Sequence, residues 1–244
     1  MNQGVRINFQ PLMRVAWYLA FLMLLIIPAQ IIIYVVAPPP ETVLGLFELF
    51  QENALLGLVS LDFLYLFNNI IVVVIYLALA AILFHERPTS IVLALVFGII
   101  GVACYYPSNP AFEMMTLSHK YFLAQPANQP IYLGAGEALM AGYTGTTFNV
   151  YYVLSTICLL LFSYALLKSP KFKKSIGWWG LASGFFMIIP SSAGTLGMIF
   201  SLLSLIPWVV FVILVMIHLR KLLSMDSNPV TLEKQQGDDK VIRL

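Results

Sequence analysis

Residues 58–84 read LVSLDFLYLFNNIIVVVIYLALAAILF, with Asp62 the one charged side chain among them. Crossing the hydrocarbon core of a bilayer takes roughly 20 residues of helix at about 1.5 Å rise each. The run is long enough to do so, and the predicted span covers 55–84. Its polar residues follow a pattern. Asp62, Tyr65, Asn69 and Tyr76 fall at offsets of three, seven and fourteen, on one face of a helix otherwise built of Val, Ile and Leu. An ionisable group inside a span costs about 2.5–3.5 kcal/mol on insertion scales, so that face turns away from lipid.

Five further segments meet the length test or come close: 12–36, 90–106, 131–167, 176–190 and 196–218. The whole chain agrees with them. Of its 244 residues, 60% are hydrophobic and 10% charged. The mean hydropathy is +0.89, whereas charged residues make up about a quarter of an ordinary soluble domain. The expected fold is all-α: a polytopic integral membrane protein with six transmembrane helices and no space for a soluble domain beside them. The first segment follows Arg6 and carries Arg14 at its start, but it is too long for a signal-peptide core and runs into Pro38-Pro39-Pro40 instead of a small-residue cleavage site. It reads as a retained span.

Orientation comes from the cations. With the amino terminus inside, Arg6, Arg14, Arg87, Lys168, Lys171, Lys173, Lys174, Arg220, Lys221, Lys234, Lys240 and Arg243 all fall on the cytoplasmic side. Lys120 alone falls outside, with Glu41, Glu48, Glu52 and Glu113. This positive-inside asymmetry supports the short fifth segment, because without it the basic groups after 167 and after 218 would land on opposite sides. Both termini are then cytoplasmic, and the expected location is the cytoplasmic (inner) membrane.

The predicted organisation is a cytoplasmic amino terminus over 1–11, a transmembrane domain over 12–224 and a polar, disordered cytoplasmic tail over 225–244. Two segments of the domain are not spans. Over 41–53, Glu41, Gly45, Glu48 and Glu52 form a narrow polar stripe on a segment otherwise rich in Val, Leu and Phe, which predicts an amphipathic helix in the outer interface. Over 107–130, four prolines with intervening Asn, Gln and Ser predict an external loop holding at most a short helix near 113–122.

Glu137 opens the fourth segment, with Thr144, Tyr151 and Ser155 on nearly the same face below it. One straight helix over 131–167 would measure about 55 Å, almost twice the hydrocarbon thickness. It must protrude, tilt or break, and Gly134, Gly136, Gly142 and Gly145 offer the break points. The expected ligand-binding site is an outward-opening polar cavity where Asp62, Tyr65 and Asn69 meet Glu137, Thr144 and Asn149, closed by the loop that carries His119 and Lys120. The competing reading has the amides and threonines hydrogen-bonding between helices, at around 0.6 kcal/mol each, with both carboxylates at the wet interface.

Other chemistry has no signature here. HExxH, GxSxG, a Walker loop and CxxC are all missing, and His85, His119 and His218 are scattered. No catalytic, cofactor or metal residues are expected, and Cys104 and Cys158 read as small packing residues. The basic residues stand in small groups at segment ends and the net charge is +2. That suits anionic lipid headgroups and excludes a nucleic-acid stripe.

The pattern of residues 58–84, the fourth span running into LLKSPKFKKSIGWWGLASGF (166–185) and a final span ending in a basic group resemble a bacterial membrane family known as domain of unknown function 4386. The resemblance covers about half the chain and implies a six-helix inner-membrane bundle without implying an activity. The third segment, SIVLALVFGIIGVACYY (90–106), departs from that family in carrying no charge, and Asn69 stands where a second acidic residue is expected. Two functional expectations follow. One is binding or transport of a small molecule or lipid through the polar cavity, with halves of opposite topology as in inverted-repeat transporters, although no sequence similarity links those halves. The other is a non-transporting membrane sensor or scaffold acting through its external loop or cytoplasmic rim.

Overall fold

The computed structural model describes residues 8–226, which are helical almost throughout and contain no strand. Arg6, Lys234, Lys240, Arg243 and most of the predicted tail lie outside the described residues. In chain order the helices are α1 (Gln10–Val36), α2 (Val43–Glu52), α3 (Ala54–Ser60), α4 (Phe63–Leu83) and α5 (Pro88–Tyr105), followed by α6 (Ala111–Leu123), α7 (Gln129–Tyr143), α8 (Thr146–Lys168), α9 (Lys174–Phe186) and α10 (Gly194–Asp226). Five stretches are long and apolar enough to cross a membrane: Gln10–Val36, Phe63–Leu83, Pro88–Leu123, Pro126–Lys168 and Gly194–Met225. This is therefore a membrane protein. The predicted fifth span is helical for only 13 residues, about 20 Å, and does not join that set.

Six helices form a closed ring in chain order. α1 packs on α4, α4 on α5, α5 on α8, α8 on α9, α9 on α10, and α10 returns to α1. Lipid offers no hydrophobic drive for helix association, so close approach at small residues matters most. A Cβ on Gly98 or Gly101 of α5 would press on Cys158, Leu154 and Ser155 of α8, and one on Gly180 or Gly184 of α9 would press on Ser163 and Leu160. The α5–α8 and α8–α9 seams are the tightest of the ring for this reason.

One end of the ring is basic. Arg220 Cζ lies 6.0 Å from the Trp17 ring and the His218 ring 4.1 Å from that of Phe172. Lys171 Nζ stands 3.1 Å from Glu86 Oε1 and donates to the Ile82 carbonyl at 3.4 Å. These contacts gather the start of α1, the α4–α5 turn, the α8–α9 turn and the end of α10. Hydrogen bonding from Ser169, with Lys171 beside it, holds Glu86 below its usual carboxylate range.

The other end carries a cap of α2, α3, α6 and α7. Thr42 Oγ1 caps α2 by accepting from the Gly45 amide at 3.1 Å. The amphipathic helix expected over 41–53 forms, but not as a float on lipid. Val43, Leu46, Phe47 and Phe50 are buried on the cap's own core with Leu61, Ala111 and Met114. The Ser118 hydroxyl, donating to the Phe47 carbonyl at 2.7 Å, ties α6 to α2. The region 107–130 is correspondingly more ordered than a loop, since α6 runs for 13 residues.

Three predicted spans break at this end. The segment 55–84 is not one helix: α3 stops at Ser60, and Asp62 adopts φ 58° in the left-handed region before α4 begins. Asp tolerates that conformation better than most side chains. The segment 131–167 breaks at Thr144–Gly145, as its glycines suggest, and Asn149 Nδ2 donates to the carbonyls of Thr144 and Gly145 at 3.1 and 2.9 Å. After α9 the chain turns irregularly until Gly194, with Thr156 Oγ1 donating to the Met187 carbonyl at 3.0 Å. Irregular backbone at such depth survives where protein groups satisfy it.

Candidate functional site

Inside the ring lies a cavity of about 340 Å³, and all six ring helices line it. Its walls are mainly apolar, with Ile26 and Ile27 from α1, Val72 from α4, Leu159 from α8, and Leu205 and Trp208 from α10. Polar groups concentrate toward the cap: Gln30 and Tyr34 of α1, Asp62, and Tyr65, Asn68 and Asn69 of α4.

The break before α4 decides what Asp62 does. Left outside the helix, its carboxylate accepts hydrogen bonds from Tyr34 of α1 and Tyr143 of α7, each oxygen taking one phenol. It thereby links the ring wall to the cap. Around it Gln30 Nε2 donates to the Val59 carbonyl at 3.1 Å and Asn109 Nδ2 to the Leu61 carbonyl at 2.6 Å, which ties side chains of α1 and of the turn before α6 to the backbone at the break. Below, Tyr65, Tyr105 and Tyr151 form an aromatic cluster with ring centroids 5.6 and 4.9 Å apart, and the Tyr151 hydroxyl donates to Asn69 Oδ1 at 3.1 Å.

Not every polar atom is matched. Gln30 Oε1, Asn68 Oδ1, Asn69 Nδ2 and the Tyr105 hydroxyl are buried without a hydrogen-bond partner, and the side chains that bear them all line the cavity. Asn68 and Asn69 are each only 2% exposed, too little for bulk solvent to compensate. An orphaned buried donor or acceptor costs about 1–3 kcal/mol, so four around one cavity mark a place that something polar completes. Acceptors on Gln30 and Asn68, a donor on Asn69 and the Tyr105 hydroxyl, none of them formally charged, suit a neutral hydrogen-bonding group.

Of the expected site residues, Asp62, Tyr65 and Asn69 line the cavity, whereas Glu137, Thr144, Asn149 and His119 do not. The break at Thr144–Gly145 is the cause. It detaches α7 from α8 and lays it across the cap, where Gly136 faces Val43 and Phe47 of α2 and the neighbouring Glu137 is exposed. Asn149 is occupied with the break, and its Oδ1 accepts from the Ser192 hydroxyl at 2.6 Å. His119 is exposed on α6, its Nδ1 3.4 Å from Gln51 Nε2. The expected meeting of Asp62 with Glu137 is thus replaced by that of Asp62 with Tyr34 and Tyr143. Gln30, Tyr34, Asn68 and Tyr143 were the residues missed, and Gln30 as the one amide in 12–36 was an available signal. Among the described residues no three His, Cys, Asp or Glu side chains come together to hold a metal ion.

Fold and site together define an all-α membrane bundle with a chamber at its centre. No family model, curated protein or solved structure matches the chain.

Proposed function

We propose that this protein binds a small amphiphile, a lipid-like molecule with a neutral polar group, in the chamber of the ring. The observation that carries the reading is the set of unpartnered polar atoms on Gln30, Asn68 and Asn69 at the polar end of an otherwise apolar cavity. The volume lies at the small end of the range for ligand pockets. It fits a compact amphiphile or a single lipid chain. Asp62 serves the site by joining α1, α4 and the cap.

The topology we propose has six crossings, with α9 and the irregular residues after it forming the fifth, both termini cytoplasmic, and the basic end facing the cytoplasm across the inner membrane. The count of cations supports it, as does the gathering of the basic turns at one end. The resemblance to the domain of unknown function 4386 is consistent with six helices. Single cysteines at Ser175 and Thr195, in a background carrying Cys104→Ala and Cys158→Ala, test the fifth crossing. Membrane-impermeant thiol reagent on intact cells labels only Thr195→Cys under this topology, whereas equal labelling of both contradicts it.

Native mass spectrometry of the protein in mild detergent tests the binding. The expected result is a stoichiometric small amphiphile on the wild type that is lost from Asn68→Leu. A clean apoprotein under every extraction condition would overturn the reading and move the function to a sensor or scaffold acting through the cap.

A further inference from the structure

Two neighbouring walls of the chamber differ from the other four. α1 and α10 are the described helices that carry a proline in the interior, Pro28 and Pro207. Each proline removes one i→i−4 hydrogen bond and bends or loosens its helix. Both sit at the level of the cavity, Pro28 between the lining residues Ile27 and Gln30, Pro207 between Leu205 and Trp208.

Exposure singles out the same pair. Lining residues on α4, α5, α8 and α9 are buried or half-buried, whereas Ile31 of α1 is 43% exposed and Leu202 of α10 56%. A side chain that lines an interior space while much of its surface stays open marks the rim of an opening. Packing along the seam agrees. Toward the basic end it is sealed by Ala16, Ala20 and Met23 of α1 with Phe211, Val212 and Val215 of α10, all buried. Toward the cap, residues 194–206 of α10 bury only Gly197 and Ser204. The surface beside the rim is hydrocarbon in character, with Ile32 and Val35 on one side and Leu203 and Ile206 on the other, all exposed. Whatever enters here arrives from among lipid chains.

We infer that the α1–α10 seam is a lateral portal, hinged at Pro28 and Pro207, through which a bilayer-resident amphiphile passes its hydrocarbon chain into the chamber while its polar group settles by Gln30, Asn68 and Asn69. This rests on the chamber being a binding site, as proposed above. It adds the class of ligand, one that partitions into the bilayer, and its route.

The test uses the full-length protein in phospholipid vesicles with a fatty alcohol that carries a photoactivatable diazirine near the chain terminus, followed by peptide mapping. In the wild type, labelling is expected on interior segments 68–76 and 151–159 and on lipid-facing Val96 and Ile99 of α5. Ile31→Trp with Leu202→Trp fills the rim with side chains that leave the packed core untouched. Interior labelling then falls several-fold while the α5 labelling is unchanged. Unchanged interior labelling in that variant would overturn the portal and leave the chamber reading standing. Interior silence in the wild type, with α5 labelled, would overturn the chamber reading itself. Should the double variant fail to insert, Leu202→Ala widens the rim and is expected to raise interior labelling, and the absence of any rise overturns the portal.

Discussion

The two ends of the ring are made from the same kinds of residue and behave differently. At the basic end α4, α8 and α10 are unbroken, and Leu83, Ala165, Leu166, Phe211, Val215 and Leu219 are essentially closed to solvent. At the cap end three predicted spans break, prolines enter α1 and α10, and polar atoms stand unpartnered around a cavity. Hydrophobicity does not distinguish the two, because both are rich in Leu, Ile and Val. Close packing does. One end is built to hold the ring shut, and the other gives up helix continuity to keep a cavity open.

The sharpest way to break this contrast is to open a hole at the tight end. Phe211→Ala, at a site packed on Trp208 and Gly180, is expected to cost about 3–5 kcal/mol, read as a large loss of thermal stability in detergent. A small loss would mean that the basic end is no better packed than the chamber. The opposite sign is expected at the chamber. Asn68→Leu removes an orphaned acceptor and should stabilise the ligand-free protein by about 1–3 kcal/mol while abolishing ligand retention.

Glycines sharpen the comparison at smaller amplitude. Gly180→Ala drives a Cβ into Ser163 and against Phe211 and is expected to destabilise by about 1–3 kcal/mol. Gly142→Ala in α7 meets nothing within 4 Å, and the better helix propensity of alanine should make it neutral or stabilising by up to about 1 kcal/mol. The smallest effect belongs to Glu86. Because its folded-state carboxyl is held below the usual range, its contribution is present above the ordinary carboxylate value and is lost as pH falls through the lowered one. Glu86→Gln should therefore shift stability slightly at neutral pH and not at all at strongly acidic pH, which thermal unfolding across a pH series would show.

How much of this was legible in the sequence depended on what each feature rests on. The long apolar segments follow from composition along the chain, and the structure returns five membrane-length stretches of the six expected. The break at Thr144–Gly145 was legible because glycines and an excess of length announce it. The break at Leu61–Asp62 was not, since no glycine or proline stands there and only the tertiary partners Tyr34 and Tyr143 explain it. Tyr65 and Asn69 line the cavity from the predicted helical face, whereas Asp62 lines it from the break before α4 and not from that face. Glu137 was misplaced because the path of α7 across α2 and α6 is a matter of packing between distant segments, which periodicity does not encode.

A chamber that takes its ligand through unpartnered amides should respond to that ligand in thermal unfolding, followed with and without added membrane lipid extract. A ligand present at a hundred times its dissociation constant stabilises the folded state by about 2.7 kcal/mol. Extract is expected to raise the unfolding temperature of delipidated wild type and to leave that of Asn68→Leu unmoved. Equal rises in both proteins, or no rise in either, would contradict it.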